Sequence, residues 1–550
     1  SGPVFLKSNI EFHLGAGATL QGSRNMEDYP DLDISGQGHC ETLMRASLLT
    51  GYNLKNVAIT GQGVLDGAGD VWWKVVNDRL KARIKAAPKK HYEGEQGILK
   101  RPVLIFLFDC ERVTIDGIKV VNSPCYAILP VLCRNLTINN VTVKNPWKAA
   151  VNNDGIDPTS CQNVRITGCH IDTGDDGISL KTLPSYLLDS SGRVIPLPQI
   201  PCENVVIAGC VVKHAHSGAC LGAEVHGGIR NVTVSNCIFD GTRAGVRIWR
   251  YPWPGGFVEN VRMDNIVMRL VEWAFYIASD WFYPKDVKDA PGREDTPVFR
   301  NFHFSNITAE GARIACAVEG LPKMPIRDLS FSNIRISADA GFKIRDAEGV
   351  LLDNVTVESQ GPALLVQDTR GLEVRRLKAP APPAGLPVIQ LTRVQDTWIQ
   401  GCSAAPGAGV FVGLAGDENR NIDLEANRLA NAAQAQAAIE PAPDWSIGTT
   451  AYTGTLMRRK SGASNPWLPV TAAVRATLQN EWPPERIDRI IAIARVEAGS
   501  RTGADAAPEG DRRKVYIIQA EEVEEKLVIR EDGTLLKKIS DPNFTAWNYR

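Results

Sequence analysis

Eight phrases in this chain can be written one beneath another. "CERVTIDGIKVV" (110–121), "CRNLTINNVTVK" (133–144), "CQNVRITGCHID" (161–172) and "CENVVIAGCVVK" (202–213) come first. "IRNVTVSNCIFD" (229–240), "VENVRMDNIVMR" (258–269), "FRNFHFSNITAE" (299–310) and "IRDLSFSNIRIS" (326–337) follow, and the pattern fades towards residue 440. Equivalent apolar anchors are 23 residues apart from Ile115 to Ile138 and 27 from Ile207 to Val234 and from Phe304 to Phe331. Two steps of 41, Ile166 to Ile207 and Met263 to Phe304, each contain an insertion. Every unit is a set of short alternating runs broken by Asn, Asp or Gly. One such unit has nothing to bury its apolar face against; stacked on copies of itself it has. The expected fold is therefore all-β, a right-handed parallel β-helix (solenoid) over residues 1–440, with successive coils about 4.8 Å apart. Leucine-rich repeats share the period but need a Leu-x-x-Leu-x-Leu phrase that is absent, and a β-sandwich would not repeat itself.

The remainder changes character. Residues 441–468 are rich in Pro, Gly and Ser without a period and read as a linker or wrapping arm. Residues 469–550 read as a small α/β module. It has a helix with Val470, Val474 and Leu478 on one stripe, then strand-like "RIDRIIAIARVE", "KVYIIQAEE" and "EKLVIREDGTLLKKI", with a hairpin turn at Asp532-Gly533. This order resembles the PepSY-like modules, which implies a protein contact or a cap on the β-helix.

The net charge of −1 gives no support to a nucleic-acid partner, and no run of 18 apolar residues exists to span a membrane. The opening "SGPVFLKSNIEF" is strand-like and lacks an initiator Met, which is read as a processed N-terminus of a secreted or periplasmic protein. Most of the twelve cysteines recur at fixed repeat positions (110, 133, 161, 202; 169, 210, 237). That favours buried stacks of small side chains over disulfides or a metal site.

In a β-helix the coil is a ruler. Asp154 and Asp176 are 22 residues apart, one coil, so "NDGIDPT" stacks under "DDGISLK" with Gly155 below Gly177. Asp175 then lies over Asn153. With the insertion 183–200 removed, His216 falls above Asp175 and Arg243 above His216. Arg247 joins the column of Asp157, Ser179 and Cys220, and Trp249 that of Thr159, Lys181 and Gly222. Asp175 and Asp176 share a groove only if the backbone turns between them, which the flanking Gly174 and Gly177 would permit. Asp, Asn and Gly also close β-helix corners without further function, but three acids with a histidine and arginines on one strip favour a site. Crowded carboxyls point to glycoside hydrolysis: one is kept protonated for the leaving oxygen while the others hold water. Inversion would want carboxyl groups about 6.5–9.5 Å apart.

"NNDGIDP", "TGDDGISLKT", "HSGACLGAE" and "VRIW" resemble the signatures Asn-Thr-Asp, Gly-Asp-Asp, Gly-His-Gly and Arg-Ile-Lys of glycoside hydrolase family 28, the polygalacturonase family. The resemblance implies an inverting, metal-free hydrolase without cofactors, acting on a pectic polysaccharide or oligosaccharide. It also implies roles: Asp175 as general acid, Asp154 and Asp176 around the attacking water, His216 beside the acid, and Arg247 and Asn152 on substrate. Lys181, Trp249, Trp281 and Tyr283 complete the expected substrate contacts. Trp249 stands where the family has a lysine, so either it is a stacking face for a less charged sugar or it packs against Pro252 and Trp253. The first option favours a rhamnogalacturonan hydrolase. A pectate-lyase-like enzyme and a non-catalytic carbohydrate-binding β-helix are the alternatives of other classes. Loops 183–200 and 279–296 would wall off one end of the cleft, favouring exo action.

Overall fold

The computed structural model describes residues 1–32, 45–86, 99–146, 152–183, 199–250, 255–279 and 297–440, and the backbone of strands at 186–188, 194–196, 490–497, 514–520, 525–530 and 535–540. The chain forms two compact units, Ser1–Ala442 and Pro443–Arg550.

The first unit is a parallel β-helix. Glu111–Asp116 pairs in parallel with Arg134–Asn139, which pairs with Gln162–Thr167, and that with Cys202–Ala208. The repeat anchors meet each other directly. Ile115, Ile138, Ile166, Ile207, Val234, Met263, Phe304 and Phe331 are consecutive partners in one column and all are buried. Where the column turns aromatic, Phe304 and Phe331 stack at 5.0 Å and 23°. The 41-residue steps keep this register because their extra residues leave at a corner; one of them carries an antiparallel ribbon, Tyr186–Leu188 with Val194–Pro196. The helix Asp70–Ala86 leaves the stack in the same way.

Corners are held by asparagines. Asn135, Asn163, Asn204, Asn231, Asn260 and Asn301 all have φ between 56° and 61°, a left-handed conformation that Asn tolerates better than most residues. Each amide donates to the one a coil below, from Asn163 to Asn135 at 3.2 Å up to Asn301 to Asn260 at 2.6 Å. The ladder compensates the backbone cost with a row of amide hydrogen bonds.

The eleven cysteines among the described residues are buried and free. Cys110, Cys133, Cys161 and Cys202 sit in the apolar core as small side chains, as the repeat positions suggest.

One sheet of the helix has two different faces. Its inward side chains (Ile105, Leu107, Ile128) belong to the main core, while outward Phe106, Phe108, Leu129 and Val131 form a second apolar cluster with Leu32, Ala46, Val103 and Leu183. The outer surface of these N-terminal coils is therefore covered.

The second unit contains an antiparallel sheet in which Ile490–Glu497, Lys514–Ala520, Glu525–Arg530 and Leu535–Ser540 pair in order. The expected helix near 470–482 and the Asp532-Gly533 turn lie outside the described residues.

The asparagine ladder makes a testable demand. Asn231→Val removes two rungs and puts a β-branched residue at φ 56°. The expected loss is about 2 kcal/mol of stability, read as a lower thermal midpoint without loss of β-rich circular dichroism.

Candidate active site

The corner that precedes the outward-covered sheet carries the acids. Ile156 pairs with Ile178 and Ile178 with Ala219, so Asp154 lies below Asp176, Asp176 below Ser217, and Asp175 below His216. Ser217 pairs with Ala244 and Cys220 with Arg247, which sets Arg243 above His216. Asp175 and Asp176 sit in an irregular corner between His170–Asp172 and Ile178–Leu180, so both side chains reach the same groove.

The glycines act differently from expectation. Gly155, Gly174 and Gly177 are not among the positive-φ residues. Gly155 and Gly177 are required by space: a Cβ on Gly155 would lie 2.4 Å from the Gly177 carbonyl oxygen, and one on Gly177 would lie 2.4 Å from Val212. The corner turns with ordinary backbone angles and needs glycine only where coils touch.

One carboxylate oxygen from each of Asp154, Asp175 and Asp176 lies within 4.8 Å of the others. That is tighter than the carboxyl spacing of about 6.5–9.5 Å expected for inversion. The reason is geometric: two acids are consecutive and the third is one coil away, so the coil spacing sets the distance. The spacing also suits a hard divalent cation, but an ammonium already sits against one of the three.

That ammonium belongs to Lys181. It donates to Asp154 Oδ2 at 2.9 Å, lies 3.2 Å from Asp157 Oδ1, and rests over the Tyr126 ring at 4.6 Å. Lys181 was expected to bind substrate; instead it is buried and engaged with two carboxylates, because its column is diagonal to both. Asp154 Oδ1 has no hydrogen-bond partner among the described residues. Burial raises the Asp154 carboxyl well above the usual range; Lys181 opposes this, and the neighbouring acids add to it. Asp157, wholly buried, is pushed up by burial to about 7 against the same ammonium. Lys181 remains charged, held by both acids against the cost of its burial.

Asp175 is treated in the opposite way. Its Oδ1 meets His216 Nδ1 at 2.9 Å and the Asp176 amide at 2.9 Å, and Oδ2 accepts from the Asn152 amide at 3.1 Å. Burial works to raise it, but the facing His216 charge and these hydrogen bonds outweigh burial and hold it below the usual carboxylate range. Asp176 accepts from Ser217 Oγ at 2.7 Å, with Arg247 Nη1 at 3.9 Å.

The remaining expected contacts divide. Arg247 lines the groove, with Tyr276 as its partner in the next coil. Asn152 is at the rim, but its side-chain oxygen accepts from Arg101 Nη2 at 2.9 Å. Trp249 is not a platform. It is 3% exposed, its Nε1 donates to Cys220 Sγ at 3.2 Å, and the Arg247 guanidinium lies 3.7 Å from the ring centroid. The stacking face that would have suited rhamnose is occupied by a neighbour two residues away on the same side of the strand. Trp281, Tyr283 and Trp253 lie outside the described residues. Arg101, Tyr126 and Ser217 escaped the sequence reading, although Tyr126 and Ser217 share the column of Asp154 and Asp176, and Asp157 is placed there in its column without a role.

Residues 7–360 match the family model described as glycosyl hydrolases family 28. The chain belongs to this family. Among its relatives, a probable polygalacturonase of Vitis vinifera is 28% identical over 361 residues, 64% of this chain and 68% of that protein. An endo-polygalacturonase of Pectobacterium carotovorum subsp. carotovorum is 27% identical, over 63% of this chain and 79% of its own. A hyperthermoactive exopolygalacturonase from Thermotoga maritima has a similar structure, with a TM-score of 0.50 and 27% identity over 64% of this chain and 81% of that one. As a family 28 member the protein is a glycoside hydrolase acting on O-glycosidic bonds. Among the described residues no helix is long and apolar enough to cross a membrane.

Lys181 carries a consequence for stability. A carboxyl whose folded pKa is raised stabilises fully below its unfolded value, and that contribution is lost as pH rises through the folded value. Lys181→Met leaves Asp154 and Asp157 buried together, pushing both further up. It is expected to cost about 3–5 kcal/mol near neutral pH and to show a steeper fall of thermal midpoint than the parent as pH rises from about 5 to 8.

Proposed function

We propose that this family 28 hydrolase cleaves galacturonide linkages in pectin-type polysaccharides or oligosaccharides with inversion, using Asp175 as general acid and Asp154 with Asp176 around the attacking water. The observation that carries the reading is the convergence of the three carboxylates on one groove in a chain whose relatives are named polygalacturonases. In the proposed step water adds hydroxide to the anomeric carbon, its proton passes to the Asp154–Asp176 pair, and the departing sugar oxygen takes a proton from Asp175. To accept that proton Asp154 must be ionised beforehand; burial works against this, and the Lys181 ammonium at 2.9 Å favours it. Asp175, held low, is ionised near neutral pH and has no proton of its own to give. The 2.9 Å contact with His216 supplies the path by which a proton reaches Asp175 and passes on to the leaving oxygen. Inversion follows from the family resemblance and not from the carboxylate spacing.

The covered outer face of the N-terminal coils supports exo action, with substrate extending over the C-terminal coils. The buried Trp249 removes the feature that favoured a rhamnogalacturonan hydrolase. A polymeric substrate of the plant wall lies outside the cell that secretes its hydrolase, so secretion or periplasmic export accompanies this reading.

The test is incubation with homogalacturonan, rhamnogalacturonan I and their oligosaccharides, following anomeric products by NMR with and without a chelator. The expected result is β-anomer first from α-linked galacturonan, released from one chain end and unaffected by the chelator. Asp175→Asn and Asp154→Asn should each lose at least about a hundredfold in kcat. Unsaturated, chelator-sensitive products would mark a lyase instead, binding without any products would mark a binding protein, and full activity in Asp175→Asn would overturn its role as the acid.

We further infer that 1–440 is the catalytic domain, 441–468 a linker or arm, and 469–550 a PepSY-like module serving protein contact or capping. The antiparallel order of its four strands is in keeping with that module. A chain ending at residue 442 is expected to keep the parent kcat on galacturonan; loss of activity with intact folding would assign the second unit a part in catalysis.

A further inference from the structure

Beyond the acids, the outer face of the active-site sheet changes sign. In the column of His216 come Arg243, Glu272, Arg313 and Asp339; in that of Arg247 come Tyr276, Ala317 and Lys343; in that of Trp249 come Ala278, Glu319 and Arg345. The two glutamates lie underneath. Glu272, its side chain 2% exposed, is gripped by Arg243 at 3.2 Å and Arg313 at 3.1 Å; Glu319, equally buried, is gripped by Arg345 at 3.1 Å. The arginines above them are 24% (Arg313) and 32% (Arg345) exposed. The layer that meets solvent carries Arg313, Arg345 and Lys343, with the exposed carboxylate of Asp339 at its edge, and its arginines are fixed from below by buried carboxylates. Lys343, half-buried between them, senses the result: burial and the nearby Arg313 lower its pKa, and Glu319 only partly offsets them. Asp339, next above Arg313, is engaged by the Gln360 amide.

An aromatic edge borders this strip. Trp273 follows Asp154, Asp176, Ser217 and Ala244 in their column. It is half-buried, lies beneath the Arg243 guanidinium at 5.2 Å and beside Tyr276 at 5.3 Å, and its buried indole N–H has no hydrogen-bond partner among the described residues. An indole next to ordered guanidinium groups offers a sugar ring an apolar face and its carboxylate a charged partner.

We propose that Trp273, Arg313, Lys343 and Arg345 form a binding shelf for the carboxylates of an acidic sugar chain, continuing the cleft from the catalytic acids over the C-terminal coils. The shelf rests on the substrate reading above and adds the direction and the residues of extended binding. Lys343 lies five coil steps beyond Ser179, about 24 Å, so only a long oligomer reaches it. It grips the remote part of the chain and takes no part in bond cleavage.

The test compares octagalacturonate with trigalacturonate at low salt in the parent, Lys343→Gln and Lys343→Arg. Lys343 is the right position because Arg313 and Arg345 each hold a buried glutamate and their loss would disturb folding. In Lys343→Gln, KM for the octamer should rise about fivefold with kcat unchanged, KM for the trimer should not move, and Lys343→Arg should restore the parent value. The parent's length preference should shrink with added salt. Equal KM values for the octamer in parent and Lys343→Gln overturn the shelf while leaving the hydrolase reading intact. If the parent cleaves neither oligomer, the substrate reading fails, and calorimetric binding of octagalacturonate then judges the shelf: equal affinities in parent and Lys343→Gln overturn it.

Discussion

The hydrogen-bond ladder between successive coils is the constraint on which everything else rests. Because each strand pairs with its neighbour in parallel and in phase, a residue's place on the surface is fixed by counting. Ile156, Ile178 and Ala219 are partners, and from that register alone three aspartates, a serine and a histidine fall on one ledge. The apolar anchors keep the count from slipping, since a shift by one residue would turn every buried isoleucine outward. The asparagine corners do the same at the bends.

On that ledge the acids are separated by environment and not by distance. Asp154 and Asp157 are buried around a single ammonium, and Asp175 faces a histidine and two backbone amides. Lys181 offsets the burial and mutual repulsion of these carboxyls, so the lysine is at once a structural counter-ion and the setting for Asp154's proton affinity. The two shifts run against the resting states the proposed roles require, since a donor must carry its proton before the step and an acceptor must lack it: Asp175 depends on His216 for its proton, and Asp154 depends on the Lys181 ammonium to be ionised.

Much of this was legible in the text of the chain. The coil, its columns and the meeting of Asp154, Asp175, Asp176 and His216 follow from offsets of 22 and 41, because a parallel ladder preserves offsets. What escaped was sideways. Lys181 reads as a groove residue until its diagonal neighbours, Asp157 in the coil below and Asp154 at the corner, are considered. Trp249 reads as an outward ring until Arg247, two places earlier on the same face, is laid across it. Alternation tells which side of a strand a residue faces, and says nothing about who covers it there. The glycines were placed correctly for a mistaken reason, close approach having the same signature in sequence as a left-handed angle.

The long steps between Ile166 and Ile207 and between Met263 and Phe304 leave the register untouched. Extra chain departs at a bend and returns to the same rung, so nothing in the ledge records how much was inserted. The scaffold therefore tolerates outgrowths that lengthen or shrink at a bend, while the proton-handling machinery stays fixed on its rungs.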